Sequence, residues 1–313
     1  MKMADLSPIW KTNDKHFKGN YRPVSVLSAM SKIFERLMLS QINDYMSDKL
    51  SIFLCGFRKG MSSQNCLLFL IENLKKSLDK SNKFGILLTD LSKAFDCLLH
   101  DLLIAKLHAY GFDYLSLKFI YSYLSDRFQR VRVNSKFSSW TKIYTGVPQG
   151  SILGPHLYNL NSNDLFLFFL MNICNYADDN SPFTVAPDIP RVITQLENEA
   201  TLLLNWITTN GLKANPDKFH LILSDKNEYH SIQVAGSNIK NFQCAKLLGI
   251  KIDNKLTFNE HVTDLCKKAS QKIHALARIS NYMTIKQRKV IMYTFISFHL
   301  GIVHLYGCFI VAR

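Results

Sequence analysis

The segment CNYADDNSPF at residues 174–183 places two adjacent carboxylates, Asp178 and Asp179, inside an apolar stretch. Neighbouring negative charges repel each other, and their burial is costly unless a cation neutralises them. The surrounding pattern predicts a strand, a turn that carries the carboxylates, and a second strand. Because Asp also favours ordinary turns, a turn without chemistry is the alternative interpretation.

A third carboxylate ends another apolar segment. FGILLTDL, residues 84–91, predicts a buried strand that ends at Asp90. We expect two strands of this apolarity to be neighbours in one sheet, so that the three carboxylates converge at its edge. Magnesium prefers oxygen ligands and keeps positions open for substrate phosphates. The sequence therefore predicts a site for two Mg²⁺ ions, with Mn²⁺ as the other possible ion.

Helix and strand patterns alternate without regular βαβ units, which predicts an α+β fold with a mainly antiparallel sheet covered on one face. Ser28 is the predicted N-cap of the first helix, whose expected apolar face is Met30, Ile33, Phe34, Leu37, Met38 and Ile42. The first 20 residues are expected to form an extended entry segment. Further helices are predicted within 62–81, 100–112, 117–127, 191–211 and 258–279, and single strands within 219–225, 232–239 and 245–252.

The chain is strongly basic, with a net charge of +14 and a pI near 9.4. Such an excess favours a polyanionic partner, either nucleic acid or an anionic membrane surface, over a merely basic soluble protein. The segment 246–313 holds eleven Lys or Arg against three Asp or Glu. It therefore supplies eight of the fourteen charges.

The seven cysteines are scattered and form no C-x-x-C motif. This pattern predicts a reduced intracellular protein, in the nucleus, the cytoplasm or both, with neither a disulfide framework nor a zinc ribbon. The N-terminus has no apolar core of a secretory signal. Residues 290–312 lack charged side chains and are long enough to span a bilayer. Because His299 and His304 interrupt them, a buried helix or strand pair is favoured over a tail anchor, and no membrane partner is expected.

Several blocks together resemble one protein family. LLTDLSKAFDCLLHDLLIAKL, TGVPQGSILGPHLYNL and NYADDNSPF resemble blocks A, B and C of reverse transcriptases from non-LTR retrotransposons, above all the jockey-type lineage. GNYRPVSVLSAMSKIFERLM and CGFRKGMSSQNCLLFLIENL resemble the two finger blocks. NGLKANPDKFHLIL resembles block D, and KLLGIKIDNKLTFNEHV resembles the primer-contacting block. The blocks follow the family order over roughly residues 8–285.

The resemblance implies a right-hand polymerase fold and DNA synthesis from dNTPs on an RNA template with a DNA primer. The implied domains are fingers at 1–83 and 112–145, palm at 84–111 and 146–245, and primer grip with a truncated thumb at 246–313. The palm sheet would be antiparallel and backed by helices. The oligomeric state stays open.

The resemblance also implies a role for each residue that matches a motif. Asp90 and Asp178 would bind both metal ions, with Asp179 as a third ligand and the Leu91 carbonyl as a further oxygen. Phe95 matches the steric gate that excludes a ribose 2′-hydroxyl, although simple core packing is its alternative role.

The remaining matches concern the nucleotide and the nucleic acid. Arg22 and Lys11 would bind the triphosphate, Gln149 would contact the sugar, and Lys218 would donate a proton to the leaving pyrophosphate. Arg58 and Gly150 would contact the template. The duplex would be contacted by Lys267, Lys268 and Lys272.

The sequence departs from the family pattern at three places. Asn180 stands where Thr is frequent, and Asn161 and Ser162 stand where apolar residues are usual, so that helix is expected to pack less well. The C-terminal segment stops resembling a thumb, and no endonuclease-like segment precedes the fingers. We therefore expect a fragment of a longer polyprotein. The alternative function is a catalytically inactive relic that only binds nucleic acid.

Overall fold

A computed structural model describes residues 2–11, 13–168, 172–225 and 229–297. It divides into two compact units. The first comprises Met1–Leu221 and Tyr229–Asn241, and the second comprises Ile222–Glu228 and Phe242–Arg313.

The helices are α1 Ala29–Met46, α2 Ser63–Asp79, α3 Ala94–Cys97, α4 His100–Ala109, α5 Tyr114–Leu124, α6 Gly154–Ser162, α7 Leu165–Phe168, α8 Ile189–Thr209, α9 Asn259–Ile279 and α10 Ile285–Ile291. The strands are β1 Met3–Trp10, β2 Tyr21–Val26, β3 Lys83–Leu88, β4 Arg127–Val133, β5 Lys136–Phe137, β6 Thr141–Ile143, β7 Asn172–Tyr176, β8 Asp179–Ala186, β9 His220–Leu223, β10 Ser231–Val234, β11 Ser237–Lys240, β12 Cys244–Leu247 and β13 Ile250–Asp253. Short 3₁₀ turns occupy Lys18–Asn20, Pro216–Lys218 and Ser280–Tyr282, and Met292–Ser297 is π-helical.

The helix boundaries follow local capping chemistry. The Ser28 hydroxyl accepts the backbone N–H of Ser31, and the Ser62 hydroxyl accepts that of Asn65. The predicted N-cap Ser28 is therefore confirmed, and each of the two hydroxyls satisfies one otherwise unpaired donor of its helix.

The predicted apolar face of α1 is wrong in part, since only Met38 and Ile42 of it are buried. Met30, Ile33 and Leu37 are exposed, whereas Glu35 is fully buried. The helix is rotated because the Glu35 carboxylate takes backbone and hydroxyl hydrogen bonds in the interior. Hydrophobic spacing alone cannot anticipate a charged side chain that finds buried partners.

Two predicted single strands are hairpins. Residues 232–239 turn at Ala235–Gly236, and residues 245–252 turn at Leu248–Gly249. All four turn residues have positive φ, which is the geometry of the two-residue turn that suits paired strands.

In the first unit β8 lies between β7 and β3, and both pairings are antiparallel. Every residue of β3 from Phe84 to Leu88 is buried. Because successive side chains point to opposite faces, these strands are covered on both faces and not on one as expected. Helices α8 and α2 pack against them.

The first 20 residues form more than an extended entry. Strand β1 is an inner strand of a second sheet of order β2-β1-β4-β5, with β6 also paired to β4. Its pairing with β4 is parallel, so this sheet is mixed.

The buried cysteines Cys66 of α2 and Cys174 of β7 form a disulfide pair with Cα atoms 5.7 Å apart. The expectation of cysteines without a disulfide is therefore wrong for this pair. The sequence could not reveal it because 108 positions separate the two residues.

The second unit contains the β12–β13 hairpin and the basic helix α9. On α9 Leu265 and Ala269 are buried, whereas Ile273 is 46% exposed. The segment 290–312 lies mostly outside the described residues. Within the described ranges no helix combines the length and apolarity that a membrane crossing requires.

Candidate active site

The carboxylate pair lies at the tip of the β7–β8 hairpin, as the sequence predicts. Tyr176 pairs with Asp179 across the turn, and Ala177 has a positive φ of 58°. Gly56 packs against this turn so closely that a Cβ atom there would lie 2.4 Å from the backbone nitrogen of Ala177. Only glycine fits, and its contact holds the turn that presents Asp178.

The β3–β8 register brings Asp90 to the same edge. The pairing runs from Lys83 opposite Ala186 to Ile86 opposite Phe183. If this register is continued by three residues, Thr89 lies opposite Asn180. The Thr89 hydroxyl donates a hydrogen bond to the Asn180 carbonyl. The charge of Asp90 contributes to the raised pKa of both Asp178 and Asp179, so Asp90 lies near the tip of the β7–β8 hairpin. The predicted neighbourhood of the two acidic strands is confirmed.

The carboxylates disfavour each other's charge. Burial, followed by the charges of Asp178 and Asp90, raises the pKa of Asp179 to about 6. Burial also raises the pKa of Asp178, with Asp90 adding to the effect, whereas Arg22 and Lys11 oppose it. Bound cations would relieve this repulsion, and carboxylate oxygens are the ligands that Mg²⁺ prefers. The donor set therefore fits divalent ions.

Lys218 supplies the positive charge nearest to Asp90. Its Nζ lies 3.1 Å from Asp90 Oδ2, and Lys218 is the last residue of the 3₁₀ turn at Pro216–Lys218. Among the described residues, no group of three or more His, Cys, Asp or Glu side chains has a geometry that could hold a metal ion.

A pocket of about 610 Å³ opens beside these carboxylates. Most of the residues that the motifs single out line this pocket: Lys11, Arg22, Asp90, Leu91, Phe95, Gln149, Gly150, Asp178 and Lys218. Asp179 and Arg58 do not line it. Residues from six distant parts of the sequence thus face one cavity in the first unit.

Phe95 forms part of the pocket wall. Its ring centroid lies 4.8 Å from that of the buried Tyr158 and 6.0 Å from that of Phe57. Its carbonyl accepts the backbone N–H of Val147. The ring is therefore held by neighbours, and both the gate and the packing roles remain compatible with this position.

Gln149 is fixed at two points. Its Nε2 donates to Asp96 Oδ1 at 2.9 Å, and its carbonyl accepts the Ser25 N–H at 2.7 Å. The next residue, Gly150, has a φ of 114°, and a Cβ there would lie 2.8 Å from the Ser25 carbonyl oxygen. Asp96 was missed by sequence reasoning, although it directly follows Phe95 in block A and its hydrogen bond sets the orientation of the Gln149 amide.

The two predicted phosphate-binding cations lie on and next to one β-hairpin. Arg22 of β2 pairs with Ile9 of β1, and Lys11 follows β1. Both residues line the pocket and both lower the pKa of Asp178, so their charge reaches the carboxylates.

Other predicted contacts are less direct. Arg58 Nη1 donates to the carbonyls of Ser51 and Leu54, at 2.5 and 3.4 Å, and so braces its own loop. A template contact of Arg58 therefore stays a prediction. In the second unit, Lys267 and Lys268 are exposed on α9, while Lys272 Nζ donates to the Phe295 carbonyl at 3.2 Å.

The polar departures from the family pattern are buried. Asn180 is 2% exposed and accepts a 2.7 Å hydrogen bond from Asn175 Nδ2. It therefore braces the hairpin that carries the carboxylates. On α6 the side-chain amide of the buried Asn161 has no hydrogen-bond partner among the described residues, and the expectation of poorer packing stays a prediction.

Comparison with known proteins identifies what the chain is similar to. Residues 9–252 match the family described as reverse transcriptase (RNA-dependent DNA polymerase). The chain is 31% identical over 311 residues to the probable RNA-directed DNA polymerase from transposon BS of Drosophila melanogaster, covering 93% of this chain and 34% of that protein. It is 27% identical over 266 residues to the RNA-directed DNA polymerase from mobile element jockey of the same organism, covering 81% of this chain and 29% of that protein. The chain thus spans about a third of the length of these relatives.

Solved structures of telomerase share the fold. The telomerase of Candida tropicalis in complex with the TWJ fragment of telomeric RNA aligns with a TM-score of 0.58 at 10% identity, covering 99% of this chain and 54% of that one. The apo enzyme truncated from the C-terminal domain aligns with a TM-score of 0.53 at 13% identity, covering 82% of this chain and 54% of that one. These likenesses confirm the α+β polymerase fold.

Proposed function

This chain belongs to the reverse transcriptase (RNA-dependent DNA polymerase) family, and we propose that it synthesises DNA on an RNA template as the polymerase core of a non-LTR retrotransposon. The observation that carries the proposal is the meeting of Asp90 with the Asp178–Asp179 hairpin beside a pocket of nucleotide size. In the proposed reaction a primer 3′-oxygen attacks the α-phosphate of a dNTP, and pyrophosphate leaves.

The carboxylates would organise the reacting oxygens. Asp90, Asp178 and Asp179, with the Leu91 carbonyl, would hold two Mg²⁺ ions, or Mn²⁺ in their place. When bound, such ions activate an attacking oxygen and stabilise a leaving pyrophosphate. The raised pKa values of Asp178 and Asp179 support this role: burial is the main cause and neighbouring carboxylates add to it, and bound cations would stabilise the ionised forms.

The other pocket residues would position the nucleotide. Arg22 and Lys11 would bind the triphosphate, where a guanidinium matches paired phosphate oxygens. Gln149 would contact the sugar, and the Phe95 ring would occlude a 2′-hydroxyl. Lys218 Nζ is a proton donor within reach of the carboxylates and would protonate the pyrophosphate.

We also propose that the basic residues bind template and primer. Arg58 and Gly150 would contact the RNA template, and Lys267, Lys268 and Lys272 would neutralise phosphates of the duplex. We further propose that the protein acts in the nucleus, the cytoplasm or both.

Primer extension on poly(rA)/oligo(dT) with dTTP and either Mg²⁺ or Mn²⁺ tests the proposed reaction. Asp178→Asn removes one charge from the pair and should lower incorporation by at least about a hundredfold. Asp44→Asn is the matched control, since Asp44 is exposed on α1 and lies outside the pocket. Equal incorporation by the wild type and Asp178→Asn would refute the proposal.

The second candidate is a nucleic-acid-binding protein without catalysis. The Lys218–Asp90 ion pair favours it, because Asp90 is already neutralised without a metal ion. Under this alternative the wild type binds the RNA/DNA duplex tightly, incorporates no nucleotide with either ion, and binds equally well after Asp178→Asn.

A further inference from the structure

Glu35 of α1 is a carboxylate that the mechanism does not use, yet it is fully buried with an exposure of 0%. Its Oε2 accepts the backbone N–H groups of Ile152 at 2.6 Å and Leu153 at 3.4 Å. Its Oε1 accepts the hydroxyls of Tyr123 at 3.0 Å and Ser31 at 3.3 Å. All of its contacts satisfy a buried charge, and two of them hold the backbone just before α6.

The hydroxyl hydrogen bonds connect Glu35 to one further residue, Ser151. A carboxylate only accepts hydrogen bonds, so Tyr123 must donate to Glu35. The Ser151 hydroxyl, 3.0 Å from the Tyr123 oxygen, must then donate to Tyr123, and its oxygen accepts the N–H of Gly154 at 2.8 Å. The chain of donors therefore has one direction, set by the charge on Glu35.

The backbone that Glu35 holds directly follows the loop of Gln149 and Gly150. Gln149 and Gly150 line the pocket, and the residues anchored by Glu35 follow at once. Asp96 and Ser25 hold Gln149 itself, through its side-chain amide and its backbone carbonyl. Glu35 itself does not line the pocket, so any influence on the nucleotide passes through this loop.

We propose that Glu35 is a positioning residue for the nucleotide site: it holds residues 151–153 so that Gln149 presents its amide to the sugar of the incoming nucleotide. The inference rests on the proposed function and deepens it. A helix of the N-terminal part of the chain thereby sets the geometry of a loop more than a hundred positions later.

Glu35→Gln keeps the shape of the side chain but replaces one carboxylate oxygen, which accepts hydrogen bonds, by an NH₂ group, which donates them. The new amide can still accept the Ile152 N–H, but it must donate to Tyr123, which reverses the chain of hydroxyls. It also replaces charge-assisted hydrogen bonds, which are about twice as strong as neutral ones. Tyr123→Phe removes only the hydroxyl that connects Glu35 to Ser151.

Steady-state kinetics test the role. Glu35→Gln should raise the KM for dNTP about five- to tenfold, and Tyr123→Phe about threefold, with the duplex Kd changed less than about twofold. Glu197→Gln is the matched control, because Glu197 also accepts a backbone N–H, that of Gln233 at 2.8 Å, but lies away from the loop. Its KM should equal that of the wild type.

A double-mutant cycle distinguishes positioning from mere stabilisation. In a Gln149→Ala background Glu35→Gln should raise KM by less than about twofold, because the side chain that it positions is gone. An equal rise in both backgrounds, or a lower Tm with an unchanged KM, would overturn the proposal.

A readout without turnover separates this inference from the proposed function. Amide exchange in residues 146–153 should accelerate in Glu35→Gln, while residues 172–186 exchange as in the wild type. Equilibrium dialysis should show weaker dNTP binding to the variant. An inactive wild type would refute the proposed catalysis alone, whereas unchanged exchange or unchanged dNTP binding would overturn the role of Glu35.

Discussion

The buried carboxylate of Glu199 makes the stability of the first unit depend on pH in a calculable way. Glu199 lies on α8, the helix that packs against β3 and β8, and is 6% exposed. Its Oε2 has no hydrogen-bond partner among the described residues. Burial raises the pKa of Glu199 from 4.5 to about 8.

The magnitude follows from this rise. Each pKa unit corresponds to about 1.4 kcal/mol, so ionised Glu199 costs the folded state about 4–5 kcal/mol above pH 8. Between pH 4.5 and about 8 the folded chain holds a proton that the unfolded chain has lost. The free energy of unfolding therefore falls as the pH rises through this window, and the full stability is present below it.

Glu199→Met removes the titrating group and keeps an unbranched side chain among the buried residues of α8. Urea unfolding followed by circular dichroism gives the free energy of unfolding from pH 4.5 to 8.5. We expect the advantage of the variant over the wild type to grow by about 3–5 kcal/mol across that range. The matched control is Glu72→Met on α2, which removes an exposed carboxylate and should show a nearly constant difference. Parallel curves for Glu199→Met and the wild type would refute the reasoning.

Three further perturbations test other features of the first unit. Phe95→Val should raise ribonucleotide relative to deoxyribonucleotide incorporation at least about tenfold if the ring is the gate, and an unchanged ratio would assign it to core packing. Gly56→Ala should cut incorporation about a hundredfold, because the new Cβ would displace the turn at Ala177. Gly60→Ala in the same loop adds a Cβ that meets no atom within 4 Å but strains a backbone with a φ of 80°, so this control should lose about 1 kcal/mol of stability and keep its activity. Titration of the unfolded, unreduced chain should count five thiols, the seven cysteines less the bridged Cys66 and Cys174, and a count of seven would exclude the bridge.

Much of this molecule could be predicted from local patterns. The hairpin of Asp178, the helix caps at Ser28 and Ser62, and the end of α8 at Asn210–Gly211 depend on residues within a few positions of one another. The family assignment is confirmed for the same reason, since its motifs are short and continuous. The roles of individual site residues stay predictions, although the pocket collects most of them.

Long-range contacts were beyond sequence reasoning. The burial of Glu35 on α1 was not predicted, because its hydrogen-bond partners Tyr123 and Ile152 lie more than eighty positions away. Asp96 was missed because its role depends on the Gln149 amide, and β1 was misjudged because its partner β4 begins at Arg127.

The sequence by itself determined where the Asp178 hairpin turns, where α1 and α2 begin and which residue types could carry polymerase chemistry, because hydrophobic period, capping and turn preferences act within a few residues. Only the tertiary structure decided the register between β3 and β8, the reach of Lys218 to Asp90, and the hold of the buried Glu35 on the backbone that follows Gln149. Register and burial depend on packing between distant segments, and the pKa of a carboxylate depends on the charges and the solvent that this packing leaves around it.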